Sequence, residues 1–158
     1  KQVRKSVGFW YTATSGIWQT VWLEAVNDVY VKNIKLTPDI DTDTINITTD
    51  FDGDANIRAI IKDGDEIVFA GKIDKENAKI KLKDVKLWSP ESPFLYDIAI
   101  ALCDENGEIL DAVSSYFGMR STKFAGNKYY LNNKLRGNIC RGIPRFLFCI
   151  FHLLYSPF

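Results

Sequence analysis

Apolar residues at every second position between Val29 and Phe117 constrain the fold of this chain more than any other feature. Side chains on a β-strand point alternately to its two faces, so this spacing predicts strands with one buried and one solvated face. No segment shows convincing helical periodicity, and we therefore expect an all-β fold. The clearest alternating runs are Ile45, Ile47 and Phe51; Ala55, Ile57, Ala59 and Ile61; Ala78, Ile80 and Leu82; and Phe94, Tyr96, Ile98, Ile100 and Leu102.

Turn-forming residues stand between these runs. Asp63-Gly64 and Asn106-Gly107 each separate two strand-like segments, and both dipeptides tolerate the positive φ of a tight hairpin turn. The apolar phase slips between Val31 and Ile34, which predicts a bulge or bend, and Pro38 is expected to lie between strands. Counting gives about seven strands over roughly 90 residues, which predicts an immunoglobulin-like β-sandwich.

Two segments flank the expected sandwich. Residues 16–24 also alternate, with bulky apolar groups on both faces, and we expect them to be the closing strand of a different domain. We expect residues 1–27 to be poorly supported. At the other end, residues 146–155 form an apolar run of about ten residues, short of the roughly 20 needed to span a bilayer. We expect residues 139–158 to be an irregular tail that is disordered or foreign to the fold.

Composition excludes several classes of function. The chain has 20 basic and 20 acidic residues, and this neutral balance disfavours binding to nucleic acid or an anionic membrane. Its three cysteines include Cys103, expected in the core, and do not indicate a disulfide framework. His152 is the single histidine, too few for a histidine-based zinc site or a Ser/His/Asp triad. We expect no metal and no cofactor. Neither compartment nor oligomeric state can be read from the sequence.

Aspartates at alternate positions invite comparison with a calcium-binding loop. An EF-hand starting at Asp39 would need glycine where Thr44 stands and glutamate where Asp50 stands, and one starting at Asp50 would end at Ile61. We therefore interpret these carboxylates as parts of solvated turns. The two sets are Asp39, Asp41 and Asp43, and Asp50, Asp52 and Asp54.

Four longer motifs resemble glycoside hydrolase family 2, which includes β-galactosidases, β-glucuronidases and β-mannosidases. They occur in the order and spacing of that family across residues 9–137. The motifs are Gly16–Glu24, Thr37–Asp41, Leu87–Tyr96 and Ser115–Arg120.

The resemblance implies a domain organisation. Family members carry a jelly-roll sugar-binding domain, an immunoglobulin-like sandwich and a catalytic (β/α)8 barrel. By that resemblance residues 1–27 are the end of the jelly roll and supply a partial strand, residues 28–120 are the sandwich, and residues 121–138 lead into the barrel. Trp10 and Tyr11 would then lie in a loop that approaches the mouth of the barrel, where aromatic rings can stack on sugars. Packing of both rings against the jelly roll is the alternative.

The resemblance also bears on catalysis. The family hydrolyses glycosides with retention, which requires two carboxyl groups about 5 Å apart. Its acid/base glutamate follows an asparagine, and this chain contains no Asn-Glu dipeptide. We therefore expect no catalytic residue, and we interpret the chain as a non-catalytic fragment whose sandwich is a structural spacer. Carbohydrate would be the substrate of the intact enzyme only.

A different class of function stays open. The chain could be a stand-alone β-sandwich module that binds carbohydrate or protein through the surface between Trp10 and Trp22. The remaining aromatic residues of the motifs are interpreted as core or junction residues rather than ligand contacts. They are Trp18, Trp22, Trp88 and Tyr116.

Overall fold

The computed structural model describes residues 16, 17, 19–21 and 23–138. The predictions for Trp10, Tyr11, Trp18, Trp22 and the tail at 139–158 lie outside the described residues. Over the described ranges the chain forms β-strands and no helix, as the alternating pattern predicts. Those ranges accordingly hold no helix that is long and apolar enough to cross a membrane.

Seven strands build a two-layer sandwich, as the sequence predicts, and three shorter strands follow. One layer is a sheet in the order β1-β2-β5 and the other is a sheet in the order β4-β3-β6-β7, with neighbours antiparallel. A third sheet has the order β10-β9-β8. The strands are β1 (Val31–Asp39), β2 (Thr44–Phe51), β3 (Asn56–Asp63), β4 (Glu66–Ile73), β5 (Ala78–Lys81), β6 (Tyr96–Cys103), β7 (Ile109–Phe117), β8 (Thr122–Ala125), β9 (Lys128–Leu131) and β10 (Lys134–Asn138).

The core lies between the two layers and follows the period of two. On β3, Ile57, Ala59 and Ile61 are buried, whereas Ile60 points outward and is 40% exposed. Burying an isoleucine side chain contributes about 1.5–3 kcal/mol relative to leaving it in water, so the inward positions hold the layers together. Cys103 is buried as expected. The other buried members of this core are Ile45, Ile47, Phe51, Ala78, Ile80, Leu82, Tyr96, Ile98, Ile100, Leu102, Phe117 and Met119.

The two predicted hairpins are confirmed. Gly64 has φ of 61° in the turn between β3 and β4, and Gly107 has φ of 89° between β6 and β7. The predicted bulge is present as a register shift between Val31 and Asn33. The expectation that Pro38 lies between strands is wrong, because Pro38 is within β1 opposite Ile45. β1 is an edge strand, where a residue without an N–H can face away from the neighbouring strand.

Tyr96 anchors the connection that enters β6. Its buried hydroxyl accepts a hydrogen bond from the backbone N–H of Lys86 at 2.9 Å. Its ring stacks on Phe117 with centroids 5.4 Å apart and meets Phe94 edge-on at 5.0 Å. The residues that lead into β6 are thus held against the sandwich, and this places the Trp88 segment described below.

The described residues ahead of β1 do not form the predicted partial strand. Residues 16, 17, 19–21 and 23–30 have no strand pairing, and Ile17, Val21 and Leu23 are exposed. A strand needs a neighbour for its backbone hydrogen bonds, and no described strand lies beside this stretch. Near the end of this stretch the Asn27 side chain donates to the Leu110 carbonyl, and the Val31 N–H at the start of β1 donates to Asp111 Oδ2 at 2.8 Å.

Candidate functional site

The described residues build one polar and aromatic junction, between the sandwich and the third sheet. Trp88 lies in the loop between β5 and β6 and is 8% exposed. Its backbone N–H donates to the Met119 carbonyl at 3.0 Å, and the neighbouring Leu87 forms a parallel bridge with Met119. Met119 is itself fully buried in the sandwich core. The Trp88 segment is therefore fixed to the strand end that leads out of β7.

Trp88 forms a second, smaller core with the third sheet. Tyr129 and Leu131 on β9 are buried with it. A Cβ added to Gly118 would lie 3.0 Å from the Trp88 Cβ and 3.2 Å from its Cγ, so the absence of a side chain at Gly118 gives the indole room. The Arg120 guanidinium lies 4.6 Å from the centre of the Trp88 ring, a distance suited to a cation–π contact. Trp88 is confirmed as a junction residue.

Asn132, in the turn of the third sheet, is hydrogen-bonded to Trp88 and to Ser121. Its side-chain amide donates to the Trp88 carbonyl at 2.8 Å, and its Oδ1 accepts from the Ser121 N–H at 3.0 Å. Its own N–H donates to the Ser121 carbonyl at 2.9 Å. With φ of 51° at Asn132 and 62° at Asn133, the pair forms the two-residue turn that joins β9 to β10.

Polar contacts at the rim complete the junction. Arg136 on β10 makes a bidentate ion pair with Glu91, with distances of 2.7 and 2.8 Å. The Asn133 side chain donates to Asp41 Oδ1 at 2.8 Å, and Asp41 belongs to the turn between β1 and β2. The third sheet thus contacts the β5–β6 loop, the end of β7 and the first hairpin, and these contacts restrict its orientation on the sandwich.

The Glu91–Arg136 pair should respond to acid in a defined way. Hydrogen bonding from Arg136, with smaller contributions from the Glu91 backbone and the Ser89 side chain, lowers the Glu91 pKa from 4.5 to about 2. Because the pKa falls on folding, the contribution of the pair is complete above pH 4.5 and is lost as pH falls toward 2. A carbon-13 NMR titration of the Glu91 carboxyl group should have its midpoint near 2.

The matched control for that titration is Arg136→Gln. In this variant the Glu91 midpoint should move back toward 4.5, because the first cause of the shift is removed. Equal midpoints in the two proteins would contradict the ion pair.

Carboxyl groups with a lowered pKa stay ionised, and they suit structural contacts rather than proton donation. Glu91 stays ionised at neutral pH, whereas a general acid needs a raised pKa. The Asp39 pKa is also lowered, because its carboxylate accepts hydrogen bonds from the Thr42 hydroxyl and from the Asp41 and Thr42 N–H groups. Asp39 therefore serves its own turn, in line with the solvated-turn interpretation. Residues 23–138 and the described positions before them hold no group of three or more His, Cys, Asp or Glu side chains arranged for a metal ion.

Sequence reasoning missed two features of this region. Tyr116 is not a core or junction residue, because it points outward from β7 and is 58% exposed while the next residue, Phe117, takes the inward position. The resemblance implies only that residues 121–138 lead into a barrel, whereas residues 122–138 form a three-stranded sheet. The Asn132-Asn133 dipeptide between Leu131 and Lys134 was the available signal, since asparagine tolerates the positive φ of a two-residue hairpin turn.

Comparison with known proteins shows which family this sequence matches. The model of Glycosyl hydrolases family 2 matches residues 29–120, more than half of the chain. A β-galactosidase of Thermoanaerobacter pseudethanolicus is 30% identical over 145 residues, covering 80% of this chain and 19% of the relative. The β-galactosidase large subunit of Leuconostoc lactis is 27% identical over 131 residues, covering 76% and 21%. The chain therefore spans about a fifth of the length of these relatives.

Solved structures agree on the fold. The β-glucuronidase of Lactobacillus rhamnosus superimposes with a TM-score of 0.61 at 24% identity, over 68% of this chain and 18% of that protein. The β-glucuronidase of Ruminococcus gnavus gives the same TM-score at 20% identity, over 68% and 19%. The sandwich is thus shared with glycosidases several times longer, and the match over residues 29–120 shows that this chain belongs to glycosyl hydrolase family 2.

Proposed function

We propose that this chain is a non-catalytic part of a family 2 glycoside hydrolase, in which the sandwich is a structural spacer between the sugar-binding domain and the barrel. The junction at Trp88 carries this proposal. It joins the sandwich to the third sheet through a buried aromatic core, the hydrogen bond from the Asn132 amide to the Trp88 carbonyl and a bidentate ion pair. Contacts of this kind fix an angle between two bodies, which is what a spacer must do.

The domain boundaries follow from the same proposal. Residues 1–27 would end the sugar-binding jelly roll, residues 28–120 would be the spacer, and residues 121–138 would lead toward the barrel. The family match over residues 29–120 supports the second of these. The register of β8, β9 and β10 supports treating residues 122–138 as one unit that docks on the spacer. The assignment of Trp10 and Tyr11 to a carbohydrate-proximal loop stays a prediction.

Chemistry supports a non-catalytic role for this part of the enzyme. Glycoside hydrolysis with retention needs one carboxyl group that is protonated near neutral pH and one that is ionised. Hydrogen-bond partners lower the pKa of the Asp39, Asp52 and Glu91 carboxyl groups. These groups are held as carboxylates. The related β-galactosidases and β-glucuronidases make carbohydrate the substrate class of the longer enzyme in this proposal.

Activity measurements test the proposal directly. The purified 158-residue chain should release no chromophore above the blank from β-galactoside, β-glucuronide or β-mannoside substrates. The β-galactosidase of Thermoanaerobacter pseudethanolicus serves as the positive control for the galactoside. Circular dichroism should first establish that the chain is folded and rich in β-structure. Reproducible turnover by the folded chain would show that the non-catalytic assignment is wrong.

A further inference from the structure

The smaller layer of the sandwich has one strand fewer than the layer it faces. At one side of the sandwich β1 and β7 meet, and the Val31 N–H bonds to Asp111 there. At the other side β5 and β4 are the edge strands of the two sheets. No strand of the described residues pairs with the outer edge of β5, and a cleft of about 730 Å³ lies between β5 and β4.

Two apolar side chains that line this cleft, Phe69 and Ile73, are incompletely covered. Phe69 and Ile73 on β4 pair with Ile61 and Ile57, which are buried, so they belong to the inward face of the sheet. Both are nevertheless only partly buried. Their burial would be completed by a strand beside β5, in the position that the smaller sheet leaves vacant. Completed burial of such side chains is the principal favourable contribution when a strand adds to a sandwich.

The outer edge of β5 offers free backbone groups to such a strand. The Leu82 N–H donates to the Asp43 carbonyl at 2.9 Å, so it points toward β2. Backbone N–H groups alternate in direction along a strand, and those of Lys79 and Lys81 therefore point away from β2 and into the cleft. An exposed edge of this kind pairs readily with an extended chain.

The cleft is also lined by an excess of positive charge. Four lysines line it, against the two acidic residues Asp54 and Asp74. Among the described residues Lys72, Lys79 and Lys81 form no ion pair, and Lys75 donates to the Phe51 carbonyl at 2.8 Å. The side chains of Lys79 and Lys81 point to solvent, while the alternate residues Ala78 and Ile80 are buried. A strand placed beside β5 would set its own outward side chains next to these two ammonium groups.

We propose that this cleft binds an extended acidic peptide segment of a partner protein, which adds a strand beside β5. The segment would alternate apolar and acidic residues. Its apolar side chains would cover Phe69 and Ile73, its carboxylates would lie across from Lys79 and Lys81, and its backbone would bond to the free edge of β5. Backbone pairing supplies affinity in this mode, and the alternating side chains supply selectivity.

A peptide titration followed by proton–nitrogen NMR tests the proposal on the 158-residue chain. The probe is a short peptide of alternating glutamate and valine, with an alternating lysine and valine peptide as its control. We expect saturable shifts of the Lys79, Lys81, Phe69 and Ile73 amides with the acidic probe alone, weaker at high salt because ions screen exposed charges. Absence of saturable shifts at peptide concentrations up to about 1 mM would overturn the proposal, since even a weak specific complex forms there.

Two variants separate charge from backbone pairing. Lys79→Glu with Lys81→Glu should weaken binding about tenfold or more, because two favourable cross-strand pairs become repulsive. The matched control, Lys35→Glu with Lys62→Glu, changes two exposed lysines outside the cleft and should bind as the parent does. Lys79→Pro removes a cleft-facing N–H without removing a bond to β2, and should abolish binding. Equal affinity of the parent and the double Lys79, Lys81 variant would refute the charge argument even if the proline variant failed to fold.

Discussion

Trp88→Ala should release the third sheet from the sandwich while the sandwich itself stays folded. The indole is 8% exposed and packs on Tyr129 and Leu131, and its removal leaves a cavity that these side chains cannot fill. Substituting a buried tryptophan by alanine costs about 3–5 kcal/mol. Amide hydrogens of β8, β9 and β10 should therefore exchange about a hundredfold faster or more, since each 1.4 kcal/mol is a factor of ten. Amides of β6 and β3 should exchange at the parent rate.

The control for this experiment is Tyr116→Ala. Tyr116 is also a large aromatic residue close to the end of β7, but it is 58% exposed and lies outside the Trp88 cluster. Hydrogen-exchange mass spectrometry of this variant should resemble that of the parent protein in the third sheet. If Trp88→Ala left exchange in residues 122–138 unchanged, the junction would not hold the two bodies together, and the spacer proposal would lose its main support.

Ile61→Ala should destabilise the sandwich far more than Ile60→Ala does. The two residues are neighbours on β3, but Ile61 is fully buried between the layers whereas Ile60 is 40% exposed on the outer face. An isoleucine-to-alanine change in a core costs about 2–5 kcal/mol, because burial is lost and a cavity remains. At the exposed position the cost is the lower strand propensity of alanine and some lost contact, about 1 kcal/mol or less.

Urea denaturation measures both changes on the same scale. The midpoint of Ile61→Ala should fall clearly below that of Ile60→Ala, with the slope of the transition unchanged if the denatured states are alike. Both variants replace isoleucine by alanine at adjacent positions of β3. The difference between their midpoints therefore reports which face of the sheet each side chain lies on. Equal midpoints would mean that the burial pattern of β3 is wrong, and with it the register that places the β4–β5 cleft.

The junction and the cleft differ in whether their polar and apolar groups already have partners within the chain. At the Trp88 junction the polar groups are hydrogen-bonded to each other, through the Asn132 side chain and the Glu91–Arg136 ion pair. Between β4 and β5 apolar side chains and backbone groups remain available. A surface whose groups are paired within the chain holds two parts of that chain together. A strand edge with free backbone groups and exposed apolar side chains favours association with another chain. This difference is why we propose a spacing role for the first and a binding role for the second.

Much of the sandwich is encoded locally and could be predicted. Alternation identifies the inward residues of β2, β3, β5 and β6, because a side chain's face on a strand depends only on its position in the strand. Asp63-Gly64 and Asn106-Gly107 identify the two hairpins through the φ angles that they tolerate. The motif order also indicated the family to which the match over residues 29–120 assigns the chain. These features need no knowledge of which strands meet.

What the sequence alone determined, then, is the alternating strands β2, β3, β5 and β6, their apolar faces and the two hairpin turns. The tertiary structure alone decided that Trp88 meets β9, that Tyr116 is exposed, that Pro38 lies in an edge strand, and that the β1-β2-β5 sheet ends one strand short of its partner. The physical reason is that pairing between distant strands depends on the packing of the whole core rather than on neighbours in sequence. Local chemistry sets the apolar faces, and long-range packing decides which faces are covered.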